Sequence, residues 1–136
     1  AKSFYILMFQ VPVVPERMLS RRGGLGERML RASGMDTQMI ETFRDEIVAD
    51  GALRGGLGYY RSLPRSARSF AGRVSVPTTY VWSDGDTALA RRGAELTPQF
   101  VTGPYELEVL PGATHWILDQ NPRELAEIVQ RRVTSV

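Results

Sequence analysis

The sequence contains no cysteine and a single histidine. Disulfides and thiolate metal centres are thereby excluded, and one imidazole without clustered carboxylates gives no ligand set for a structural zinc. No metal and no other cofactor is expected. No apolar run approaches the roughly 20 residues that a membrane helix needs. The stretch from Phe4 to Val14 is apolar but short, broken by Gln10 and Pro12, and lacks the small-residue cleavage site of a secretory signal. A cytoplasmic protein without a membrane span fits best. Lysine is nearly missing, so the basic residues are almost all arginines. They are scattered among acids, without the interleaved aromatics of a single-strand binder, which argues against nucleic acid as a partner. An initiator methionine is missing too. The chain opens at Ala1 and runs straight into an aromatic-rich segment, as a piece of a longer polypeptide would.

What is present suits a folded domain: 136 residues, 43% apolar and 24% charged. The formal charge of +2 is unevenly spread. Residues 1–73 hold 12 bases against 7 acids and residues 74–136 hold 5 against 8, a split of +5 and −3. The periodicity changes at the same place, being helical before residue 73 and mixed after it.

In the first part, Phe4, Leu7, Met8 and Val11 outline one helical face that Pro12 ends. Pro15 opens a second helix with Met18 and Leu19 as its apolar stripe, interrupted by Gly23, Gly24 and Gly26. Asp36 or Thr37 caps a third, whose face is Met39, Ile40, Phe43 and Ile47. Leu53, Leu57, Tyr60 and Leu63 outline a fourth, stopped by Pro64. Its Gly55, Gly56 and Gly58 each cost about 1 kcal/mol against alanine, so packing must hold it.

In the second part, Val74 to Trp82 reads as a buried strand with Pro77 near its start. Thr87 caps a helix through Leu96. Tyr105, Leu107 and Val109 alternate with Glu106 and Glu108 as a half-exposed strand. Asn121, Pro122 and Glu124 form a capping-box start for a last helix with Leu125, Ile128, Val129 and Val133 on one face. The order strand, helix, strand, helix indicates α/β organisation with a parallel sheet. Two strands alone leave much of Val74, Val76, Val81 and Val109 without a partner, so further strands are expected elsewhere.

Each strand is followed by a polar turn with an ionisable group: Ser83-Asp84-Gly85-Asp86 after the first, Thr114-His115-Trp116 after the second. Ligands in open α/β sheets bind at the carboxyl ends of the strands. An aspartate and a histidine meeting there suit general base chemistry, the carboxylate fixing the tautomer of the imidazole. A surface histidine beside two turn-forming aspartates fits the same spacing.

The segment from Val74 to Val133 resembles the last two strands and helices of α/β-hydrolases, in particular the epoxide hydrolase and haloalkane dehalogenase branch. Val81-Trp82-Ser83-Asp84-Gly85-Asp86 is similar to the family's acid turn, and Gly112-Ala113-Thr114-His115-Trp116, with Asn121-Pro122 beyond, to its histidine loop. Ser83 replaces the usual glycine and Gln120 the usual acid. The resemblance implies Asp86 as the acid and His115 as the base of a catalytic triad. Ahead of it, Tyr5 with Phe9-Gln10-Val11-Pro12 and Gly58-Tyr59-Tyr60-Arg61 are similar to two cap helices of epoxide hydrolases. There, two tyrosines hydrogen-bond the epoxide oxygen; by position these are Tyr5 and Tyr60, with Tyr59 as the register competitor. Phenolic O–H groups at that place stabilise the oxygen that gains charge as the ring opens. A tyrosine on an apolar helix face is also an ordinary core residue. Phe9 and Trp116 are candidates to line an apolar substrate pocket, or plain packing.

The resemblance thus implies a helical cap over residues 1–73 and, over 74–136, the C-terminal part of an α/β-hydrolase core whose N-terminal part is missing. Neither Gly-x-Ser-x-Gly nor Gly-x-Asp-x-Gly, the elbow that carries the nucleophile, occurs in these residues. The implied activity is opening of a hydrophobic epoxide to a diol through an alkyl-enzyme ester in a longer protein, the chain alone being inactive. Its partners would be that small substrate and the rest of its own core, with a homodimer left open. A serine esterase or lipase-like hydrolase, a haloalkane dehalogenase-like one and a non-catalytic binding remnant are the alternatives.

Overall fold

Helix α1 runs only from Tyr5 to Phe9, and α2 follows at Val14–Ser20, α3 at Leu25–Ala32, α4 at Thr37–Thr42 and α5 at Leu53–Ser66. After them come β1 (Thr78–Ser83), α6 (Arg91–Leu96), β2 (Tyr105–Leu110), α7 (Ile117–Gln120) and α8 (Pro122–Thr134). This computed structural model describes residues 4–66 and 72–135. Two units separate, Ala1–Ala71 and Gly72–Val136. Among the described residues no helix is long and apolar enough to cross a membrane.

The helical unit is built on Leu19, Leu53 and Leu57, with Phe9, Met18, Leu30, Phe43 and Val48 packed against them. Between α2 and α3 the backbones come so close that a Cβ on Gly26 would lie 2.6 Å from the Met18 carbonyl oxygen. The glycines read as interrupting a helix therefore permit a new one, α3, that periodicity did not announce. Asp36 is the cap of α4, its carboxylate accepting from the Met39 amide at 2.9 Å. The helix then widens into a π-helical stretch, Phe43–Ala49. In that ladder bonds span five residues, so Phe43 and Val48 share the core side while Ile47 is turned out. The expected face of α1 is corrected as well. Phe4, Leu7 and Val11 are exposed, and Tyr5 and Phe9 form the packed face instead. An aromatic i,i+4 pair meeting a third ring outweighs the aliphatic stripe.

Glu27, in the first turn of α3, collects the Gly23 amide at 2.8 Å, Arg44 at 2.9 Å and Arg31 at 3.2 Å. The Gly23 amide first, and then Arg44, hold its carboxyl down to about 2 from an ordinary 4.5. A depressed carboxylate contributes stability above its unfolded value and loses it as pH falls through the folded one. The helices of the chain should accordingly lose thermal stability as pH falls from 4.5 to about 2. Glu27→Gln should melt lower at pH 6 and lose much of that acid dependence. Equal acid sensitivity in both proteins, followed by far-ultraviolet circular dichroism, would remove Glu27 from this role.

In the second unit β1 and β2 pair in parallel, Thr78 opposite Tyr105 through Ser83 opposite Leu110. The expected start of the first strand at Val74 survives only as an isolated bridge to Val101. One sheet face carries Thr79, Val81, Glu106, Glu108 and Leu110, and α8 lies over it. Arg132 reaches Thr79 and Glu106, Arg131 reaches Glu108, and Ile128 joins Leu110, Ala113, Val81 and Ile117 in the core. The acids of β2 thus face a helix, and Leu107 and Val109 point the other way, each 37% exposed. The strand is half-exposed, as expected, and its acids bond to the arginines of α8. Val81 is packed, whereas Val74, Val76 and Val109 are left open to solvent. On α8, Ile128 is buried but Val129 and Val133 are exposed. The helix begins at Pro122 as expected, yet Asn121 makes no side-chain cap to it and donates to the Glu124 carboxylate.

Candidate active site

Because β1 and β2 end in register at Ser83 and Leu110, the two turns that follow lie side by side. They are stitched residue by residue. The Ser83 hydroxyl donates to the Thr114 carbonyl, the Asp84 carboxylate accepts the Gly112 amide at 2.7 Å, and the Gly85 amide donates to the Ala113 carbonyl at 3.1 Å. Asp86 and His115 come next along this seam. The imidazole Nδ1 stands 2.9 Å from Oδ2 of Asp86.

Asp86 is 4% exposed. Its second oxygen accepts the Ala88 and Leu89 amides at 2.6 and 2.7 Å. Burial by itself would raise this carboxyl; the bond to His115 and the two amides outweigh it and hold the group below its ordinary value. A carboxylate charged, dry and fixed on three sides can lock the orientation of an imidazole and stabilise its protonated form. These bonds also explain why Thr87 caps nothing. Asp86 takes the amides that would have opened a helix, an Asx-type turn, and α6 begins only at Arg91.

The residues that depart from the expected motif have work to do in the seam. Ser83 is buried and fastens Thr114, the neighbour of the histidine. Gln120 accepts the Thr114 hydroxyl at 2.6 Å, and that hydroxyl accepts the Trp116 amide at 3.2 Å. The Trp116 ring stands edge-on to the imidazole at 5.3 Å between centroids. The supporting roles of Ser83 and Asp84 were not foreseen, since only the pairing of the strands brings Thr114 and Gly112 near them, and that of Gln120 depends on how the chain folds back from Thr114 into α7. Gly85 is required by the same closeness. A Cβ there would meet the Ala113 carbonyl oxygen at 2.5 Å. Gly85→Ala is expected to destabilise this unit by about 1–3 kcal/mol, as overpacking against backbone does. Both tryptophans of the sequence, Trp82 and Trp116, lie in it and report its denaturant unfolding by fluorescence. An unchanged midpoint would show that the seam can spread at no cost.

In the helical unit, α1 and α5 bring Tyr5 and Tyr60 together with ring centroids 6.0 Å apart, edge to face. Phe9 stands against both, at 5.5 Å from Tyr5 and 5.1 Å from Tyr60, and packs on the leucine core. Tyr59 is 64% exposed, so Tyr60 is the residue of that pair set against Tyr5. The polar partners of this cluster, Gln10, Arg61 and Glu16, were not foreseen. Among the described residues no group of three or more histidines, aspartates and glutamates is arranged to hold a metal.

No protein-family model matches the chain. It is 30% identical over 131 residues to epoxide hydrolase 3 of Mus musculus, a match spanning 91% of this chain and 36% of that protein. It is 31% identical over 137 residues to epoxide hydrolase 2 of Caenorhabditis elegans, spanning 90% and 37%. The crystal structure of epoxide hydrolase A from Mycobacterium thermoresistibile superposes with a TM-score of 0.76 at 20% identity, over 96% of this chain and 52% of that one. The chain therefore spans little more than a third of the length of these curated relatives and half of that structure.

Proposed function

We propose that this chain, which belongs to the epoxide hydrolase branch of the α/β-hydrolases and corresponds to the C-terminal part of that fold, provides the base, the acid and the oxygen-binding phenols of an epoxide hydrolase. The observation that carries the reading is the Asp86–His115 pair, a buried carboxylate held by two amides and aimed at Nδ1 across the ends of two parallel strands. Tyr5 and Tyr60, paired on facing helices, supply the second half of the chemistry.

In the complete protein an aspartate on a strand–turn–helix elbow attacks an epoxide carbon. A carbon–oxygen bond forms, the ring carbon–oxygen bond breaks, and the freed oxygen takes a proton from one of the two phenols. Water then gives a proton to Nε2 of His115 and its oxygen attacks the carbonyl of the ester, which releases the diol and restores the carboxylate. The imidazolium and the phenolate cancel by proton transfer, so the sum is epoxide plus water to diol. Asp86 keeps the imidazole in the tautomer that leaves Nε2 free to accept. The apolar cluster of Phe9 with the two tyrosines, and Trp116 beside the histidine, favour a hydrophobic epoxide.

The experiment is to express the full-length protein and the 136-residue chain separately and to supply styrene oxide. Diol is expected from the first and none from the second. Full turnover by the chain alone would sink the assignment of the nucleophile to another part of the protein. Cleavage of a chromogenic ester, with styrene oxide untouched, would replace the proposal by a serine esterase.

A further inference from the structure

We propose that Gln10 and Arg61 are positioning residues, a reciprocal clamp between α1 and α5 that sets the tyrosine pair. The role rests on the epoxide-opening function proposed for Tyr5 and Tyr60. Its origin is Pro64, which was expected to stop α5 but lies inside it. Proline has no N–H, so the carbonyl four residues earlier loses its helical donor. That carbonyl belongs to Tyr60. The Gln10 side-chain amide donates to it at 2.9 Å, while also donating to the Ile6 carbonyl at 3.1 Å. A side chain from α1 thus replaces the bond that α5 cannot make.

The favour is returned at the next residue. Arg61 donates to the Phe9 carbonyl at 3.0 Å and the Val11 carbonyl at 3.1 Å, groups that a short helix leaves bare at its end. The same guanidinium is held by both oxygens of Glu16 on α2, at 2.7 and 3.0 Å. Between Val11 and Glu16 the chain passes through Val13 with φ of 70°, a conformation that a β-branched residue tolerates only when its surroundings impose it. Arg61 fixes the chain on both sides of that residue. The clamp therefore grips the backbone at Phe9 and Gln10, one turn from Tyr5, and at Tyr60 and Arg61. Two phenols 55 positions apart in sequence hold their distance because the peptide groups beside them are tied to one another. Misplacement of reacting groups by about 1 Å is enough to cost up to a hundredfold in rate.

The test uses the 136-residue chain labelled with ring-fluorinated tyrosine, with resonances assigned by tyrosine-to-phenylalanine variants. Gln10→Leu should move the Tyr5 and Tyr60 fluorine signals toward that of the exposed Tyr59 and leave Tyr80 and Tyr105 in place. Adding Pro64→Ala should return them, because the new backbone N–H at position 64 supplies the Tyr60 carbonyl in the ordinary helical way. In the full-length enzyme Gln10→Leu should lower kcat on the order of tenfold with KM changed less than about twofold, and the double variant should recover most of the loss. Unmoved Tyr5 and Tyr60 signals in Gln10→Leu, or a failure of Pro64→Ala to return them, would overturn the clamp. Should Gln10→Leu unfold the helices, Glu16→Gln asks the same question by freeing Arg61: movement of the two signals supports the clamp and its absence refutes it. The fluorine signals decide whether or not the protein opens epoxides, so the clamp and the proposed function fail separately.

Discussion

In the full-length protein Asp86→Asn should slow release of diol by on the order of 10⁴-fold while the alkyl-enzyme ester accumulates to one equivalent. The substitution is mild for the fold. An asparagine oxygen can still accept the Ala88 and Leu89 amides that now bond to Oδ1 at 2.6 and 2.7 Å. Its NH₂ group, however, would face Nδ1 of His115, where Oδ2 now stands at 2.9 Å. Nδ1 must then accept, the imidazole proton moves to Nε2, and Nε2 can no longer deprotonate water. Attack on the epoxide does not need that nitrogen, so the first half of the reaction continues and the second stops. Rapid quenching followed by intact-protein mass measurement reads the result as a gain of the epoxide's mass. Normal turnover, or loss of turnover without an adduct, would dismiss His115 as the base of ester hydrolysis.

Tyr5→Phe and Tyr60→Phe should fail at the opposite step. Removing one preorganised donor to a developing oxyanion costs about 10²–10³-fold. If, as proposed, both phenols serve one oxygen, the double variant should lose much less than the product of the single losses. No ester accumulates in these variants, because the step they impair precedes it. Single-turnover alkylation rates check this, with near-ultraviolet dichroism to confirm that the ring cluster of Tyr5, Phe9 and Tyr60 persists. Phenylalanine keeps the edge-to-face packing and deletes only the hydroxyl. A pair of variants with normal alkylation rates would return both tyrosines to the status of core aromatics.

The seam between the two turns was readable from sequence because it is local. Each ionisable group follows its own strand by a few residues, and the parallel order forces both turns to one end of the sheet. The helix starts at Asp36 and Pro122 were readable for the same reason, being set by one or two residues. What failed were inferences whose answer depends on a distant partner. Pro64 stops a helix unless something supplies a donor to the Tyr60 carbonyl, and that something is Gln10, 50 positions before Tyr60. Alternation along β2 located a half-exposed strand but not the partners of its acids, Arg131 and Arg132 on α8, more than 20 positions later. Glycines at 23, 24 and 26 looked like an interruption, and Gly26 proved to be the contact that lets α3 lie on α2. The π-helical stretch at Phe43–Ala49 changed the period itself, so Ile47 was exchanged for Val48.

The way α8 is fastened to the sheet divides it electrostatically. Its later turns are held by guanidinium–carboxylate contacts at the beginning of the strands, Arg132 to Glu106 and Arg131 to Glu108. Its middle is held by Ile128 against Leu110 and Ala113, next to the turns that carry Asp86 and His115. Partly exposed ion pairs weaken as dissolved salt shortens the reach of charge, and apolar burial does not. Concentrated electrolyte should therefore loosen the later turns of the helix and spare its middle, beside the turns of Asp86 and His115. The site is anchored where ionic strength has least to act on.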